Sequence, residues 1–131
     1  MIPTFLHPDA VLFLHDQALR EYGGLHGIRS EDLLHSALHR ATHRHTYAST
    51  VPADLFTLAA AYAYGMARNH PFNDANKRTA WACCVLFLKL NGIECETAAP
   101  AVVAQIVRLA AGTLDEADFA HWLRQLPTRS A

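Results

Sequence analysis

The chain has 131 residues, of which 51% are apolar and 18% are charged, and its net charge is −1 with histidine neutral. This composition excludes a disordered chain and predicts one globular domain that spans residues 1–131. Because the net charge is near zero, no basic field attracts nucleic acid or an anionic membrane, and any phosphate binding must be local.

The first half of the chain contains three stretches in which apolar residues recur at helical spacing. The first stretch ends at the glycine pair 23–24 and has the stripe Val11, Leu14, Ala18 and Tyr22. Ser30 is the predicted N-cap of a second helix, with the stripe Leu34, Ala37, Leu38 and Ala41. Residues 46–52 interrupt the pattern, and Pro52 is predicted to lie in the first turn of a third helix. The apolar face of that helix comprises Leu55, Leu58, Ala59, Tyr62 and Met66.

A fourth helix follows a proline that separates it from the third. Pro71 disfavours the helical conformation at the residue before it, so the third helix is predicted to end near Asn69. The fourth helix is predicted to begin near Ala75 or Asn76 and to end near Leu90. It is apolar on nearly all sides, which predicts a central, buried helix.

The last third of the chain predicts two shorter helices. Residues 93–98 form either a short strand or an extended link, and a fifth helix is predicted over residues 99–111. Thr113 and Glu116 have the spacing of a capping box for a sixth helix, and the tail at about 127–131 is predicted to be frayed. The apolar face of the sixth helix comprises Phe119, Trp122, Leu123 and Leu126. The sequence therefore predicts an all-α fold, a compact bundle of about six helices around a buried central helix.

The cysteines and the termini indicate the compartment. Cys83, Cys84 and Cys95 are odd in number and lack the spacing of a disulfide framework or a zinc site, so reduced thiols are expected. The first residues carry no basic segment, and no apolar run reaches the roughly 20 residues that a membrane helix needs. These features favour a cytoplasmic protein that contacts no membrane.

Four histidines form a separate cluster on the second predicted helix. His35, His39 and His43 recur at intervals of four residues, and His45 lies nearby. Metal binding is one interpretation of this pattern. A solvated helix face is the favoured one, because no carboxylate or cysteine completes a ligand set.

A polar cluster lies between the third and fourth helices, in the segment HPFNDANKRTA at residues 70–80. The first N–H groups of a helix lack internal partners and the helix dipole is positive there, so this end favours an anion. Asn76, Lys77 and Arg78 add donors to the first turn. Two cations at this end are unfavourable unless a phosphate binds, so we interpret the segment as a site and not as a simple turn.

Three further residues of the segment have candidate roles. Asp74 is either the N-cap of the fourth helix or a ligand of Mg²⁺ beside the phosphates of a nucleotide. His70 is suited to accept a proton from a hydroxyl group near neutral pH. Phe72 is predicted to point inward, which would hold His70 on a rigid support.

The segment resembles the motif H-x-F-x-(D/E)-(G/A)-N-(G/K)-R of the Fic/Doc superfamily, through His70, Phe72, Asp74, Ala75, Asn76, Lys77 and Arg78. The alanine and the lysine resemble the Doc (death-on-curing) branch, as do YGGLHG at 22–27 and LFLKLNG at 86–92. This resemblance implies a toxin of a toxin–antitoxin system that acts as a protein kinase. Its substrate would be ATP with Mg²⁺, its target elongation factor Tu, and its effect the arrest of translation.

Two departures from the Fic form of the motif bear on the chemistry. Fic enzymes that transfer AMP have glycine at the position of Lys77 and a second arginine at the position of Trp81. Lysine fills the space in which glycine lets the backbone approach a phosphate, and tryptophan removes one phosphate clamp. Both changes favour transfer of the γ-phosphate, while AMP transfer and a catalytically inactive binding module remain the alternatives.

The resemblance also implies a role for each motif residue. His70 would be the general base on a Ser/Thr hydroxyl of the target, and Asp74 would hold Mg²⁺ or orient the reacting groups. Asn76, Lys77 and Arg78 would bind phosphates, together with the helix N-terminus. Arg68 either reaches the same site or is a solvated arginine at a helix C-terminus.

A partner protein is implied by a missing motif. Some Fic proteins carry an inhibitory helix marked by glutamate before Gly or Asn, and no glutamate of this chain has that neighbour. The resemblance therefore implies an antitoxin in trans, which contributes a disordered segment that folds on an apolar groove. Direct contact of this chain with nucleic acid is not expected.

Overall fold

The computed structural model describes residues 2–47 and 53–131, and within these ranges the chain forms six α-helices and one two-stranded sheet. The elements are α1 (Pro8–Tyr22), α2 (Glu31–Thr46), α3 (Leu55–Asn69), α4 (Asn76–Leu90), β1 (Ile93–Cys95), α5 (Ala99–Ala111), α6 (Glu116–Gln125) and β2 (Thr128–Ser130). This architecture confirms the predicted all-α class. None of the described helices is both long and apolar enough to cross a bilayer.

The most deeply buried helix of the fold is α3, and the predicted burial of α4 is confirmed on one side of that helix. α3 contacts α2, α4, α5 and α6, and every residue from Leu58 to Ala67 except Tyr64 is buried. Its alanines and Gly65 let neighbouring helices approach on several sides. α4 packs against α1, α3, α5 and β1 but keeps one side half-exposed. Because alanine is small and only weakly apolar, the hydrophobic pattern did not predict how deeply α3 is buried.

The N-termini of α2 and α3 have side-chain caps. Ser30 caps α2 as predicted, since its hydroxyl oxygen accepts the N–H of Leu33 at 3.2 Å. The prediction for Pro52 falls outside the described residues. α3 begins at Leu55, and Asp54 caps it by accepting the N–H of Thr57 at 2.7 Å.

The predicted capping box at the start of α6 is wrong. Asp115 is the N-cap of this helix, so Glu116 becomes its first residue and cannot reach back as a capping-box glutamate. Glu116 is instead buried, and its carboxylate accepts a hydrogen bond from Arg40 at 2.7 Å and forms an ion pair with Arg44 at 2.9 Å. These ion pairs join α2 to α6, which a local sequence pattern does not reveal.

The C-terminal tail is ordered at residues 128–130, which corrects the prediction of a frayed end. β2 pairs with β1 in antiparallel register, with Glu94 opposite Arg129. The guanidinium of Arg129 lies 3.2 Å from the carboxylate of Glu94 and reinforces the pair. The strand alternative for residues 93–98 is therefore correct at its first three positions.

The buried face of α1 differs from its predicted stripe. The buried residues are Val11, His15, Ala18 and Leu19. Tyr22, predicted to belong to the stripe, is 71% exposed because it lies in the last turn beside the open glycine pair. A histidine therefore lies on the core face of α1, at a position that the predicted stripe did not include.

Replacement of Gly65 by alanine is expected to destabilise the fold. A Cβ atom at this position would lie 3.0 Å from the Cα atom and 3.2 Å from the Cβ atom of Ala37 on α2. Alanine normally stabilises a helix relative to glycine by up to about 1 kcal/mol, but overpacking costs about 1–3 kcal/mol. Urea unfolding should show a net loss of about 1–2 kcal/mol. A gain in stability would mean that α2 and α3 separate freely.

Candidate active site

A cavity of about 330 Å³ lies at the N-terminus of α4. This volume is at the lower end of the range of small-molecule sites. Its lining residues all come from one segment: His70, Asn73, Asp74, Ala75, Asn76, Lys77 and Arg78. The structure thus brings together five of the residues predicted for the site, while Arg68 and Phe72 lie outside the lining.

The loop between α3 and α4 is strained at both ends. His70 has φ of 49° and ψ of 57°, and Ala75 has φ of 63°, so both non-glycine residues adopt the left-handed conformation. Such residues cost about 1–3 kcal/mol each and persist only where the surroundings hold them. α3 ends at Asn69 as predicted, but Pro71 is preceded by a left-handed and not an extended residue.

A second segment, residues 23–30, holds the loop by backbone contacts. The N–H of Asn73 donates to the carbonyl oxygen of Gly27 at 3.1 Å. Arg29 donates from Nε to the carbonyl oxygen of His70 at 2.7 Å and from Nη2 to that of Asn69 at 2.8 Å. A cation at the last carbonyls of a helix is favourable, so Arg29 stabilises the end of α3 from which His70 projects.

Phe72 anchors the loop to the core. Its ring is 1% exposed and stacks on the ring of His15, with centroids 3.7 Å apart and planes 9° apart. His15 also places Nε2 at 2.9 Å from the carbonyl oxygen of Asp74. Burial lowers the pKa of His15, and the hydrogen bond to Asp74 raises it by less. The pKa is therefore below its usual value, and the ring is neutral near pH 7. The sequence analysis missed His15, for which a histidine on an otherwise apolar helix face was the available signal.

Asp74 does not cap α4, because Ala75 occupies the N-cap position. The two carboxylate oxygens of Asp74 accept the N–H of Ala75 at 2.8 Å and the N–H of Leu25 at 3.1 Å. These hydrogen bonds, first that of Ala75 and then that of Leu25, lower the pKa of the Asp74 carboxyl, which keeps it ionised.

The chemistry of Asp74 fits a magnesium ion held beside nucleotide phosphates. Mg²⁺ in such sites takes one or two carboxylates and fills its other positions with phosphate oxygens and water. Each Asp74 oxygen accepts one hydrogen bond and retains a second lone pair. In the described part of the chain no group of three His, Cys, Asp or Glu side chains could hold a metal, so the phosphates would supply further ligands.

Gly24 controls the position of the Asp74 carboxylate, and its replacement by alanine should impair the site. A Cβ atom at residue 24 would lie 2.8 Å from Oδ2 of Asp74, which must then move. Gly23→Ala is the matched control, because both glycines have positive φ but a Cβ at residue 23 meets nothing within 4 Å. We expect both variants to lose about 1–3 kcal/mol of stability in thermal unfolding.

Only Gly24→Ala should also weaken the site, by about 10-fold or more in Mg²⁺ dependence or transfer rate. This effect is measured by titrating Mg²⁺ in the phosphotransfer assay proposed below. Equal rates for the Gly23 and Gly24 variants would contradict the assigned contact between residue 24 and Asp74.

The side chain of Asn76 closes the loop, and the residue also lines the cavity. Its Oδ1 accepts the N–H of Phe72 at 3.0 Å, and its Nδ2 donates to the carbonyl oxygen of Phe72 at 3.0 Å. The phosphate contact predicted for Asn76 stays a prediction. Among the described residues, no side chain caps the first turn of α4 and no acidic residue lies in it, whereas Lys77 is exposed and lines the cavity.

Arg78 reaches across to the C-terminus of α1. It donates from Nη1 to the carbonyl oxygen of Ala18 and from Nη2 to that of Gly23, both at 3.1 Å. Its guanidinium also lies 5.1 Å from the ring centroid of Tyr22. Arg78 is thus stabilised by the negative end of α1, and its charge does not by itself require a phosphate. Three of its five N–H groups remain for the cavity that it lines.

Two other residues of interest face away from the cavity. Arg68 donates from Nη1 to the carbonyl oxygen of Ala110 at 3.1 Å, at the C-terminus of α5. The prediction that Arg68 reaches the site is therefore wrong, and its alternative role at a helix C-terminus is correct in kind. Trp81 packs against α6, with its ring centroid 5.9 Å from that of Trp122.

Comparisons with known proteins show the family to which the chain is similar. The model of the Fic/DOC family matches residues 5–88. The chain is 35% identical over 121 residues to "Protein kinase doc" of Escherichia phage P1, covering 92% of this chain and 94% of that protein. It is 38% identical over 73 residues to "Toxin Doc" of Mycolicibacterium smegmatis, covering 56% of this chain and 55% of that protein.

Proposed function

This chain belongs to the Fic/DOC family, and we propose that it is the toxin of a toxin–antitoxin system with protein kinase activity. In this proposal it transfers the γ-phosphate of ATP to a Ser or Thr hydroxyl of elongation factor Tu in the cytoplasm and thereby arrests translation. The observation that carries the proposal is the cavity that groups His70, Asp74 and Lys77 at the N-terminus of α4. The identity of 35% to a protein named as a kinase supports the choice of reaction.

His70 is the proposed general base. Its side chain lines the cavity and is exposed, so an incoming hydroxyl can approach it. As the proton passes to the imidazole of His70, the hydroxyl oxygen forms a bond to the γ-phosphorus. The bond from that phosphorus to the oxygen of the β-phosphate breaks, and ADP leaves with the electron pair. The guanidinium of Arg29 donates to the backbone carbonyl of His70 and so holds that residue for this step.

The positive end of α4 is the proposed phosphate site. Its first N–H groups, Lys77 and the remaining donors of Arg78 provide hydrogen bonds to oxygens that gain charge during transfer. Asp74 is the proposed protein ligand of Mg²⁺. When it is bound, the ion would neutralise phosphate charge and orient the triphosphate.

Two residues support γ-phosphate transfer over AMP transfer. Lys77 occupies the position at which AMP-transferring Fic enzymes have glycine, and it lines the cavity. Trp81 stands where those enzymes have a second arginine, and its ring packs on Trp122 of α6. This chain therefore lacks one phosphate clamp of the AMP transferases.

An antitoxin in trans is the proposed regulator. The chain contains no glutamate followed by Gly or Asn, which would mark an inhibitory helix of its own. A disordered partner segment that folds on binding would cover apolar surface. Val103 and Val107 on α5 are 60% and 47% exposed and are one such surface.

Labelled ATP tests the reaction directly. The purified protein is incubated with elongation factor Tu, Mg²⁺ and ATP that carries ³²P at either the α- or the γ-position. We expect label on the target only from γ-labelled ATP. Label only from α-labelled ATP would replace the kinase by an AMP transferase, and no label from either, with tight binding of an antitoxin, would favour an inactive binding module.

A further inference from the structure

His15 is one of three buried polar side chains in the described part of the chain, with Thr79 and Glu116. It lies in the middle of α1 on the same face as Val11 and Ala18, and it is 6% exposed. A buried imidazole among apolar residues costs free energy unless a hydrogen bond satisfies it. The hydrogen-bond partner of His15 therefore indicates which part of the structure this side chain stabilises.

The two contacts of His15 both fall on the loop between α3 and α4. Nε2 lies 2.9 Å from the carbonyl oxygen of Asp74, and because a carbonyl oxygen only accepts, His15 carries its proton on Nε2. The imidazole ring stacks on Phe72 at 3.7 Å between centroids. The side chain of His15 thus contacts both the main chain of the loop, at Asp74, and the side chain that anchors the loop, Phe72.

The hydrogen bond to Asp74 acts on a peptide unit that also contacts the carboxylate. The carbonyl group of Asp74 and the N–H group of Ala75 belong to one planar unit and point in opposite directions. His15 holds the carbonyl end, and the N–H end donates to Oδ1 of Asp74 at 2.8 Å. A rotation of this plane would break both hydrogen bonds and move the carboxylate.

The peptide plane has little other support. The hydrogen bonds of α4 begin with the carbonyl oxygen of Ala75, which accepts the N–H of Thr79, so the carbonyl of Asp74 precedes the helical ladder. Ala75 itself is left-handed with φ of 63°, a conformation that needs external stabilisation. His15 supplies it from α1.

We propose that His15 is a positioning residue of the active site, which fixes the Asp74–Ala75 peptide plane and thereby the Asp74 carboxylate. This inference rests on the proposed function, because it assigns Asp74 to a reacting site. A histidine that merely filled the core would affect stability alone. His15 is expected instead to affect turnover per folded molecule.

Two substitutions separate the ring of His15 from its donor. His15→Phe keeps a ring to stack on Phe72 and removes the N–H donor, whereas His15→Gln removes the ring and keeps an amide donor at a similar reach. Val11→Ala is the matched control for lost stability, since Val11 lies on the same buried face of α1 and outside the site. Each variant is assayed where thermal unfolding shows it to be fully folded.

Two readouts decide the proposal. We expect kcat of γ-phosphate transfer to fall about 10–100-fold in His15→Phe and to be largely retained in His15→Gln and Val11→Ala. Without nucleotide, NMR hydrogen exchange at the N–H of Ala75 should be about tenfold faster in His15→Phe than in the parent protein. Equal kcat for His15→Phe and Val11→Ala, or unchanged exchange at Ala75, would overturn the proposal.

The exchange readout separates this proposal from the proposed function. If the parent protein transfers no phosphate, the proposed function fails by itself. Faster exchange at Ala75 in His15→Phe, but not in His15→Gln, would still support His15 as the residue that holds the Asp74–Ala75 plane. Equal exchange in both variants would reject it.

Discussion

Replacement of His70 by asparagine is expected to lower γ-phosphate transfer by about 10²–10⁴-fold, the usual contribution of a general base. Asparagine tolerates the left-handed conformation that residue 70 adopts, so the backbone of the loop should be retained. The lost activity would then report the missing proton acceptor and not a displaced loop. Initial rates of label transfer from γ-labelled ATP, at saturating target, measure the effect.

His26 provides the matched control for His70. It is exposed in the neighbouring segment 23–30, and its backbone carbonyl, not its ring, accepts from Asn73. His26→Ala should therefore transfer phosphate at nearly the parent rate. If His70→Asn keeps the parent rate while remaining folded, His70 is not the base, and another group must accept the proton.

The sequence predicted the location of the candidate site because the signals there are local. Pro71 ends α3 at the expected residue, and α4 begins at Asn76 within the predicted limits. A motif of seven defined positions in nine residues places its polar side chains at one helix end by connectivity alone. The cavity lined by the segment 70–78 follows from this arrangement.

The partners of those side chains could not be predicted, because they come from distant parts of the chain. The backbone carbonyl of Asp74 is hydrogen-bonded to His15, which lies 59 residues earlier in the chain. The side chain of Arg78 donates to the carbonyl of Ala18, which lies 60 residues earlier. These contacts depend on how α1 packs against α4, and helical periodicity does not encode that geometry. The N-cap alternative for Asp74 is wrong because Ala75 occupies that position, and the Asp74 carboxylate instead accepts the N–H groups of Ala75 and Leu25.

The same long-range packing changes the electrostatic argument for a phosphate site. The sequence suggested that both Lys77 and Arg78 place unfavourable charge at the positive end of α4. Arg78 is in fact paired with the carbonyl groups at the C-terminus of α1, where a cation is stabilising. Among the residues that line the cavity, Lys77 is thus the cation whose charge is not paired with helix carbonyl groups. The case for a bound anion therefore depends mainly on this lysine.

Replacement of Lys77 by methionine should lower γ-phosphate transfer by about 10²–10³-fold, the effect of removing one donor that stabilises charge in the transition state. Methionine keeps the length of the side chain and removes its charge. It also relieves the unfavourable interaction of a cation with the positive end of α4, so the stability of the folded chain should rise slightly, by about 0.3–1 kcal/mol. Loss of activity with gain of stability is the signature of a residue placed for function.

Lys89→Met is the control for this prediction, because Lys77 and Lys89 are the two lysines of the chain and lie at opposite ends of α4. Lys89 is in the last turn, where a cation is favourable, so its replacement should cost stability slightly and leave transfer unchanged. Opposite effects of the two substitutions on unfolding in urea, with activity lost only at Lys77, would support the phosphate site. Unchanged transfer in Lys77→Met would remove the lysine from the reaction, and with it the main physical reason to prefer γ-phosphate over AMP.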